Sequence, residues 1–370
     1  MKPKICFVVL GSYPLFTSNE KLRYIGGSEK KQVLIAEELA RKGYDITFIT
    51  YDEEGDKKEI YKDISIIKSF SPSQNLNILT KAKMLWNSLK KSNAEIYIQS
   101  GGTPGIIPIF CLVHRKKYIK WLSSDKIVLL ESVHRKTTLI TKISLYIDIK
   151  FASLIVAQNE FQKKIVTDKF KKNCVLIKNP ISIPETSIKM KDMQMEKIVL
   201  WIGTIGSIKQ PEVYLKIARM LQNYKFRMIG GRSDSEPELY DIIRDEAKKI
   251  SNLEFLGFVP YEKMQGYYEE SAILLNTSKA EGFPNTFLEA WSNYIPVISL
   301  NIDPDNVLSK NNLGYHSKTF NQMVLDIESL LNNNSLRYEM GMNAKKYVKE
   351  NHDVEKITDQ FITMLTSLRA

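Results

Sequence analysis

Short apolar runs alternate with stretches of helical spacing along the whole chain, and this alternation restricts its fold more than any other feature. Residues 4–10 form a continuous apolar run bounded by Gly11, which is typical of a strand buried on both faces of a parallel sheet. The alternation continues to the C-terminus without an internal repeat. It predicts the α/β class, with strands in open parallel sheets and helices between them.

The alternation comes in two series. The first has strand candidates at residues 4–10, 45–50, 64–67, 95–99, 118–122, 153–157 and 174–177. The second has strand candidates at 197–202, 226–229, 253–256, 273–276 and 296–300, with helices at 211–222, 237–249, 321–332, 335–350 and 354–368. The stretch between the two series has no clear periodicity. We therefore predict an N-terminal domain over 1–180, a linker over 181–195, a C-terminal domain over 196–350, and a final helix within 351–370 that packs back on the first domain.

The charge is spread unevenly between the two halves. The net charge is +11, and residues 1–185 contain 31 Lys and Arg against 18 Asp and Glu, so the excess lies in the first half. A basic half suits anionic lipid, nucleic acid or a phosphorylated substrate, and charge alone does not choose among them. The three cysteines lack CxxC spacing and the N-terminal apolar run is too short for a signal peptide, so we expect a cytoplasmic protein.

Two carboxylates, Glu281 and Glu289, stand eight positions apart at the expected start of a helix. Pro284 suits the first helical position because its φ is fixed and its missing N–H would be unpaired there. The amides of residues 285–287 would then be free, and with the positive end of the helix dipole they would bind a phosphate. Carboxylates on either side of a diphosphate suit the hydroxyls of a sugar and of a ribose. The alternative is a surface helix with ordinary exposed glutamates.

The spacing of these glutamates, with glycine and proline between them, resembles the signature of the retaining glycosyltransferases of family 4 (glycosyl transferases group 1). The resemblance covers essentially the whole chain and implies the GT-B architecture, in which two Rossmann-like domains with parallel sheets face each other across a cleft. It implies that Glu281 contacts the donor sugar, that Glu289 holds the ribose and that the amides between them bind the diphosphate. The donor-binding residues implied here are Glu281, Gly282, Phe283, Pro284, Asn285, Thr286 and Glu289.

A loop with two glycines follows the first strand of the second half, where a Rossmann-like sheet receives phosphate. Gly203, Thr204 and Lys209 are its candidate donor-binding residues, with Lys209 as a point charge on the diphosphate. The resembled family usually has an arginine as well as a lysine in this loop, and this chain lacks the arginine. Arg232, which follows Gly230, is predicted to supply that charge. For both basic residues the alternative is an ordinary surface position.

Three further places extend the predicted site. Gly26 and Gly27 precede a helix, and in the resembled family glycines at this point let the helix approach the phosphates, although a plain turn also favours glycine. Val259 follows strand 253–256, where the family places the loop that holds the base. Asp125 follows strand 118–122, near the place where family 4 enzymes often carry a histidine. The candidate catalytic residues are Glu281, Lys209 and Asp125.

We expect no metal site, and no cofactor besides the nucleoside diphosphate sugar that serves as donor substrate. The four histidines are far apart and share no ligand spacing. Asp303-Pro304-Asp305 matches the Asp-x-Asp that metal-dependent sugar transferases of another fold use. Because Asp-Pro is equally a turn former, we interpret this tripeptide as a turn.

The resemblance implies a metal-independent hexosyltransferase that moves a sugar from a nucleoside diphosphate sugar, preferably of UDP, to an acceptor hydroxyl with retention. The acceptor would be a saccharide or lipid-linked saccharide of a bacterial cell-surface polysaccharide or glycolipid. Two alternatives are a nucleotide-sugar epimerase of the same fold and a non-catalytic binder of sugar nucleotides or of nucleic acid. Carboxylates repel phosphates, so the glutamates disfavour nucleic acid as a partner.

Residues 75–91 place Trp86 among four lysines at helical spacing: Lys81, Lys83, Lys90 and Lys91. Lysine beside tryptophan on an amphipathic helix is typical of peripheral contact with an anionic membrane, here the inner face of the cell membrane. A surface helix packed on a core has the same pattern, and the sequence leaves both interpretations open.

Overall fold

The computed structural model describes residues 2–17, 27–53, 60–101, 105–131, 138–185, 197–233 and 235–368. The chain divides into two compact units, one of Met1–Ser182 with Val354–Ala370 and the other of Ile183–Asp353. Gly26 and most of the predicted linker lie outside the described residues. None of the helices within these ranges has the length and apolarity that a bilayer span requires.

The first unit is built on one sheet whose described strands lie in the order β3-β4-β2-β1-β5-β6-β7-β8. All neighbours pair in parallel except β3 with β4. The strands are β1 (Ile5–Val8), β2 (Ile46–Thr50), β3 (Ile60–Tyr61), β4 (Ile64–Lys68), β5 (Ile96–Gln99), β6 (Lys117–Trp121), β7 (Leu154–Ala157) and β8 (Cys174–Leu176). The chain adds strands first on one side of β1 and then on the other, which is the doubly wound arrangement.

Helices cover both faces of this sheet, and each face has its own apolar core. They are α1 (Gly27–Arg41), α2 (Ile78–Ser92), α3 (Ile106–Val113), α4 (Asp125–Val128), α5 (Leu139–Lys150) and α6 (Glu160–Phe170). Helix α1 ends at Arg41, and Gly43 follows in the position predicted for a glycine after the helix end. Its φ of +78° favours glycine. The Tyr44 amide then donates to the Leu39 carbonyl at 3.0 Å, which closes the helix end.

The second unit has a parallel sheet whose described strands lie in the order β11-β10-β9-β12-β13-β14. These strands are β9 (Ile198–Ile202), β10 (Lys225–Ile229), β11 (Leu253–Gly257), β12 (Ser271–Asn276), β13 (Val297–Ser299) and β14 (Gly314–His316). Its helices are α7 (Pro211–Met220), α8 (Pro237–Ala247), α9 (Met264–Glu269), α10 (Asn285–Ser292), α11 (Val307–Asn311), α12 (Phe320–Asn332) and α13 (Asn334–Asn351). Strand order reverses between β9 and β12, so the unit has a single switch point within the described strands.

The last helix, α14 (Val354–Ser367), belongs to the first unit and packs against α1. Its apolar stripe of Ile357, Phe361 and Met364 enters the same core as the inner face of α1. The Phe361 ring stacks on Trp121 of β6 with ring centroids 5.4 Å apart.

The predicted α/β class, with parallel sheets in two units, is confirmed. Several short elements were not predicted, among them α9 and α11. A 3-10 helix over Leu10–Phe16 replaces the loop expected after β1, and β3 and β14 have only two and three residues. Strands this short show no alternation that a sequence pattern could reveal.

Candidate functional site

The candidate site of the second unit lies where the strand order reverses. Loops after β9 and β12 leave the sheet side by side at its carboxyl edge, because these two parallel strands are neighbours. In open α/β sheets this switch point is where ligands bind. The loop after β9 carries Gly203 and Lys209, and the loop after β12 carries Glu281. The two sequence motifs therefore come together although 72 positions separate Lys209 from Glu281.

Lys209 and Glu281 form an ion pair between these loops. The Ser278 hydroxyl donates to the same Glu281 oxygen at 2.8 Å. Beneath the pair, Thr277 Oγ1 donates to the Lys209 carbonyl at 2.6 Å and accepts from the Trp201 indole at 2.9 Å. Because Thr277 and Trp201 are buried, these bonds fix the backbone from which the Lys209 side chain extends.

The structure corrects the start of the helix that carries Glu289. Pro284 is not the first helical residue: its ψ of 122° is extended, and α10 begins at Asn285 with Pro284 as its N-cap. The Phe287 amide, expected to be free, donates to the Pro284 carbonyl at 3.2 Å. The amides of Asn285 and Thr286 lie in the first turn of α10. A first-turn amide has no helical carbonyl four residues before it to which it could donate.

The Glu281 loop separates supporting residues from those that face solvent. Gly282, Phe283 and Pro284 are buried, whereas Glu281, Asn285, Thr286 and Glu289 are partly exposed. The Phe283 ring packs edge-on against Trp291, with ring centroids 6.3 Å apart. The predicted donor residues therefore divide in two: buried ones hold the loop, and partly exposed ones present polar groups.

Helix α10 is held in place at its far end. Lys345 of α13 donates from Nζ to the Ser292 carbonyl at 2.8 Å, which puts a cation at the negative end of the helix dipole. Glu289 lies on the partly exposed side of α10 and accepts from the Tyr268 hydroxyl at 2.6 Å. Lys345 therefore holds the C-terminal end of α10, while the buried Phe287, Leu288 and Trp291 hold its inner side.

Close backbone packing explains the glycines of this site. A Cβ on Gly230 would lie 2.1 Å from the Gly203 carbonyl oxygen, so the turns after β9 and β10 touch through their backbones. A Cβ on Gly203 would lie 3.6 Å from Cγ of Lys209, beside the ion pair. Glycine at 230 therefore serves the approach of the two turns, whereas a Cβ on Gly203 would first meet the Trp201 ring at 3.2 Å. The phosphate-binding role of this loop stays a prediction.

The Gly206-Ser207 turn already holds an anionic group. The Ser207 amide donates to Glu236 Oε2 at 2.7 Å, and its hydroxyl donates to Oε1 at 2.6 Å. These bonds hold the pKa of Glu236 below its usual value. Glu236 was not among the predicted site residues, and only the position of Pro237 after it indicates a helix start in the sequence. Its contact with Ser207 spans 29 positions, which no local pattern reveals.

Arg232 is held by α8. Its guanidinium makes a two-point pair with Asp241, at 2.7 and 2.8 Å, and lies 4.8 Å from the centre of the Tyr240 ring. A role on a diphosphate would require exchange of Asp241 for phosphate, and that role stays a prediction. Val259 is partly buried just after β11, and its expected contact with the base also stays a prediction.

The Asp303-Pro304-Asp305 turn is confirmed as local structure. Asp303 Oδ1 accepts from the Leu308 amide at 2.8 Å, and Oδ2 accepts from the Ser309 hydroxyl at 2.8 Å, so this carboxylate caps the start of α11. Pro304 opens a 3-10 turn, and Asp305 has a φ of +54°.

The first unit has its own polar cluster at the carboxyl end of β6. Lys31 of α1 is fully buried and donates to the Leu122 carbonyl at 3.1 Å, with its ammonium 4.7 Å from the Trp121 ring centre. Burial lowers the pKa of Lys31 to about 7. Asp125 accepts from Asn159 at 3.0 Å and from Gln162 at 2.8 Å, which ties α4 to α6.

Lys31 was missed by the sequence analysis. A lysine inside the buried register of α1, next to the fully buried Gln32, was a signal that could have found it. Gly27 is the first residue of α1 and is exposed, as a loop-to-helix junction requires. The catalytic role predicted for Asp125 is not tested by these contacts.

The unit that carries Lys209, Glu281 and Glu289 matches a known family. Residues 182–347 match the family model of the glycosyl transferases group 1. An uncharacterized glycosyltransferase of Haemophilus influenzae is 23% identical over 353 residues, covering 91% of this chain and 95% of that protein. These matches support a glycosyltransferase as the class of this protein.

A second relative and a solved structure give more particular likenesses. A GalNAc-α-(1→4)-GalNAc-α-(1→3)-diNAcBac-PP-undecaprenol α-1,4-N-acetyl-D-galactosaminyltransferase of Campylobacter jejuni is 25% identical over 217 residues, 56% of this chain and 58% of that protein. The crystal structure of Anabaena Alr3699/HepE in complex with UDP and glucose has a TM-score of 0.74 at 15% identity, over 99% of this chain and 100% of that one. The latter likeness shows the two-domain α/β fold of the GT-B glycosyltransferases.

Proposed function

We propose that this protein is a retaining family 4 enzyme that transfers a hexose from a nucleoside diphosphate sugar to an acceptor hydroxyl. The observation that carries the proposal is the Lys209–Glu281 pair beside the first turn of α10, at the switch point between β9 and β12. A cation and a glutamate pair there, a helix N-terminus follows, and Glu289 lies further along the same helix; a diphosphate between two sugars requires groups of these kinds.

Each group has a distinct task in this proposal. Lys209 and the first-turn amides of α10 bind the diphosphate, since a helix N-terminus and an ammonium both favour negative charge. Glu281 turns from Lys209 to the hydroxyls of the donor sugar when the diphosphate takes over the ammonium. Glu289 accepts from the ribose hydroxyls while it keeps its bond from Tyr268. Carboxylates beside a phosphate site need hydroxyl partners, and this need argues against nucleic acid.

The protein supplies position and electrostatic stabilisation in this scheme. The bond from the anomeric carbon to the leaving phosphate oxygen breaks as the acceptor oxygen bonds to that carbon on the same face. The departing diphosphate takes the acceptor proton, so no protein nucleophile is required. Lys209 and α10 stabilise the charge that develops on the diphosphate. We propose that the reaction needs neither a metal nor another cofactor.

UDP is the proposed nucleotide of the donor, because a protein of the same fold was crystallised with UDP and glucose. The proposed acceptor is a saccharide or lipid-linked saccharide of a bacterial cell-surface polysaccharide or glycolipid. The Campylobacter relative, whose name contains an undecaprenol diphosphate acceptor, supports the lipid-linked form. We assign the acceptor to the basic first unit, and we place the enzyme in the cytoplasm at the inner face of the cell membrane.

A thermal-shift panel of UDP, GDP, ADP and their sugars tests the donor. We expect one nucleotide and its sugar to raise the melting temperature. Mass spectrometry with membrane extract should then show consumption of that sugar nucleotide and a product one sugar heavier. Consumption of the donor without any acceptor product would favour the epimerase alternative. No stabilisation by any nucleotide would contradict the proposed function.

A further inference from the structure

Helices α3 and α5 of the first unit expose large apolar side chains to solvent. Leu112 and Val113 on α3 are 63% and 62% exposed, and Leu139 and Ile140 on α5 are 72% and 77% exposed. Ile143 is 51% exposed. Single exposed apolar residues are normal on a protein surface, but a contiguous apolar patch marks an interaction site.

These residues form regular outward stripes on both helices. On α3 the buried residues are Ile107, Pro108, Phe110 and Cys111, while Leu112 and Val113 face the other way. On α5, Leu139, Ile143 and Tyr146 repeat at helical spacing opposite the buried Leu145 and Ile149. Both helices therefore have an apolar outer side in addition to the side that packs on the sheet.

The stripes lie next to each other. Helix α3 packs against both α2 and α5, and all three cover the same apolar core on one face of the sheet. Helix α2 lies against β2 and β4 and α3 lies against β6, so α3 stands between α2 and α5. At the start of α2, Ile78 and Leu79 are also exposed. We call the outer side of α2, α3 and α5 the apolar-basic face.

The charges of this face are all positive. Helices α2, α3 and α5 contain one acidic residue, Asp148, which is fully buried and pairs with Lys120 at 2.8 Å. Their basic residues are Lys81, Lys83, Lys90, Lys91, Lys142 and Lys150. Exposed apolar side chains among lysines, without any exposed carboxylate, match the boundary between lipid headgroups and acyl chains of an anionic bilayer.

The structure moves the membrane contact away from Trp86. The sequence pattern offered Trp86 as an embedded anchor, but its ring packs edge-on against Phe110 at 5.0 Å and lies, partly buried, against the core beneath α2 and α3. The core-packed interpretation of Trp86 is therefore correct. The exposed apolar residues of α3 and α5 take the place that Trp86 was expected to fill.

We propose that the apolar-basic face docks on an anionic lipid bilayer, with Leu112, Val113, Leu139, Ile140 and Ile143 entering the headgroup region. The docking itself does not depend on the proposed function. Only its purpose rests on that function: docking would hold the enzyme where a lipid-linked acceptor resides. A second copy of the chain is a poorer occupant. It would bring two lysine-rich faces together without a carboxylate to pair with them.

Sedimentation with lipid vesicles tests the docking. The wild-type protein should bind vesicles of phosphatidylcholine with about one-third phosphatidylglycerol and should bind pure phosphatidylcholine vesicles weakly, with salt reducing the difference. The double variant Leu112→Gln with Ile143→Gln should lower partitioning by about tenfold or more, because two apolar side chains no longer enter the lipid. Lys142→Glu with Lys150→Glu should lower binding to anionic vesicles selectively.

A matched control separates this surface from general hydrophobicity. Ile242 and Leu325 in the second unit are 57% and 58% exposed, and replacing both by glutamine should leave vesicle binding unchanged. Calorimetric titration with UDP should give the same affinity in every variant, since none of these residues lies at the donor site. Absence of binding to any of the tested nucleotides by the wild type would refute the proposed function while leaving the vesicle result to judge the docking.

Three results would overturn the docking. These are no binding of the wild type to anionic vesicles, equal binding by the Leu112/Ile143 variant, or equal loss in the Ile242/Leu325 control. A wild-type dimer that the Leu112/Ile143 variant dissociates, without vesicle binding by either, would assign the face to a second copy instead. Light scattering after gel filtration measures the oligomeric state of wild type and variant directly.

Discussion

Replacing Glu289 by glutamine should weaken nucleotide binding without disturbing the fold. Glutamine has the same length, and its side-chain carbonyl still accepts from the Tyr268 hydroxyl, which lies 2.6 Å from Glu289 Oε2. The variant therefore removes the negative charge and little else. The buried side of α10, with Phe287, Leu288 and Trp291, is untouched by the change.

The magnitude follows from the kind of bond that is lost. A hydrogen bond to a charged group contributes about 1.5–3 kcal/mol, which corresponds to roughly ten- to a hundred-fold in affinity. Because Glu289 is partly exposed, solvent weakens its charge and the lower end of this range is expected. We expect calorimetric titration with UDP to show a dissociation constant about tenfold higher in the variant.

A matched protein variant and a matched ligand sharpen the test. Glu269→Gln alters a nearby carboxylate on α9 that accepts from Gln265, and it should leave UDP affinity unchanged. A uridine diphosphate without the 2′ and 3′ hydroxyls should bind wild type and Glu289→Gln equally, since the proposed partners of Glu289 are then missing. Equal affinity of wild type and Glu289→Gln for UDP itself would refute the ribose role.

Three further outcomes are expected. Activity should survive EDTA, because both oxygens of the Asp303 carboxylate already bond to the start of α11 and the proposed reaction uses no metal. If chelation stops turnover and Mg²⁺ or Mn²⁺ restores it, the metal-free proposal is wrong. Gly230→Ala should destabilise the protein by about 1–3 kcal/mol in chemical denaturation, because its Cβ would lie 2.1 Å from the Gly203 carbonyl oxygen; Gly266→Ala, whose Cβ meets nothing within 4 Å, should not. Burial lowers the pKa of Lys31 from 10.5 to about 7, so its destabilising effect is full below pH 7 and falls as pH rises from 7 towards 10.5, where the unfolded chain also loses the proton; the gain in melting temperature from Lys31→Met should shrink across that interval.

The sequence predicted the parts of the site that have a local pattern. Residues 273–276 fall within β12, and the helix expected to start at Pro284 begins one residue later, at Asn285. The error at Pro284 is physical: proline fits an N-cap or a first helical position because φ is near −65° in both, and only ψ distinguishes them. Sequence does not report ψ.

Long-range contacts account for what the sequence did not predict. The bond from Ser207 to Glu236 and the pair of Arg232 with Asp241 join residues of different elements, and each charge has other plausible partners along the chain. The place of Trp86 was ambiguous for a similar reason. Helical spacing identifies an apolar stripe, but a stripe is buried or exposed according to its neighbours, and here Phe110 covers the ring.

Sugar transfer by wild type and Glu281→Gln tests the central claim most directly. The claim is that Glu281 serves the donor sugar while Lys209 and α10 bind the diphosphate. We predict that wild type releases UDP from its sugar donor in the presence of acceptor, and that Glu281→Gln abolishes this release while its calorimetric affinity for UDP stays close to that of wild type. Full transfer by Glu281→Gln, or loss of UDP binding together with transfer, would contradict the account.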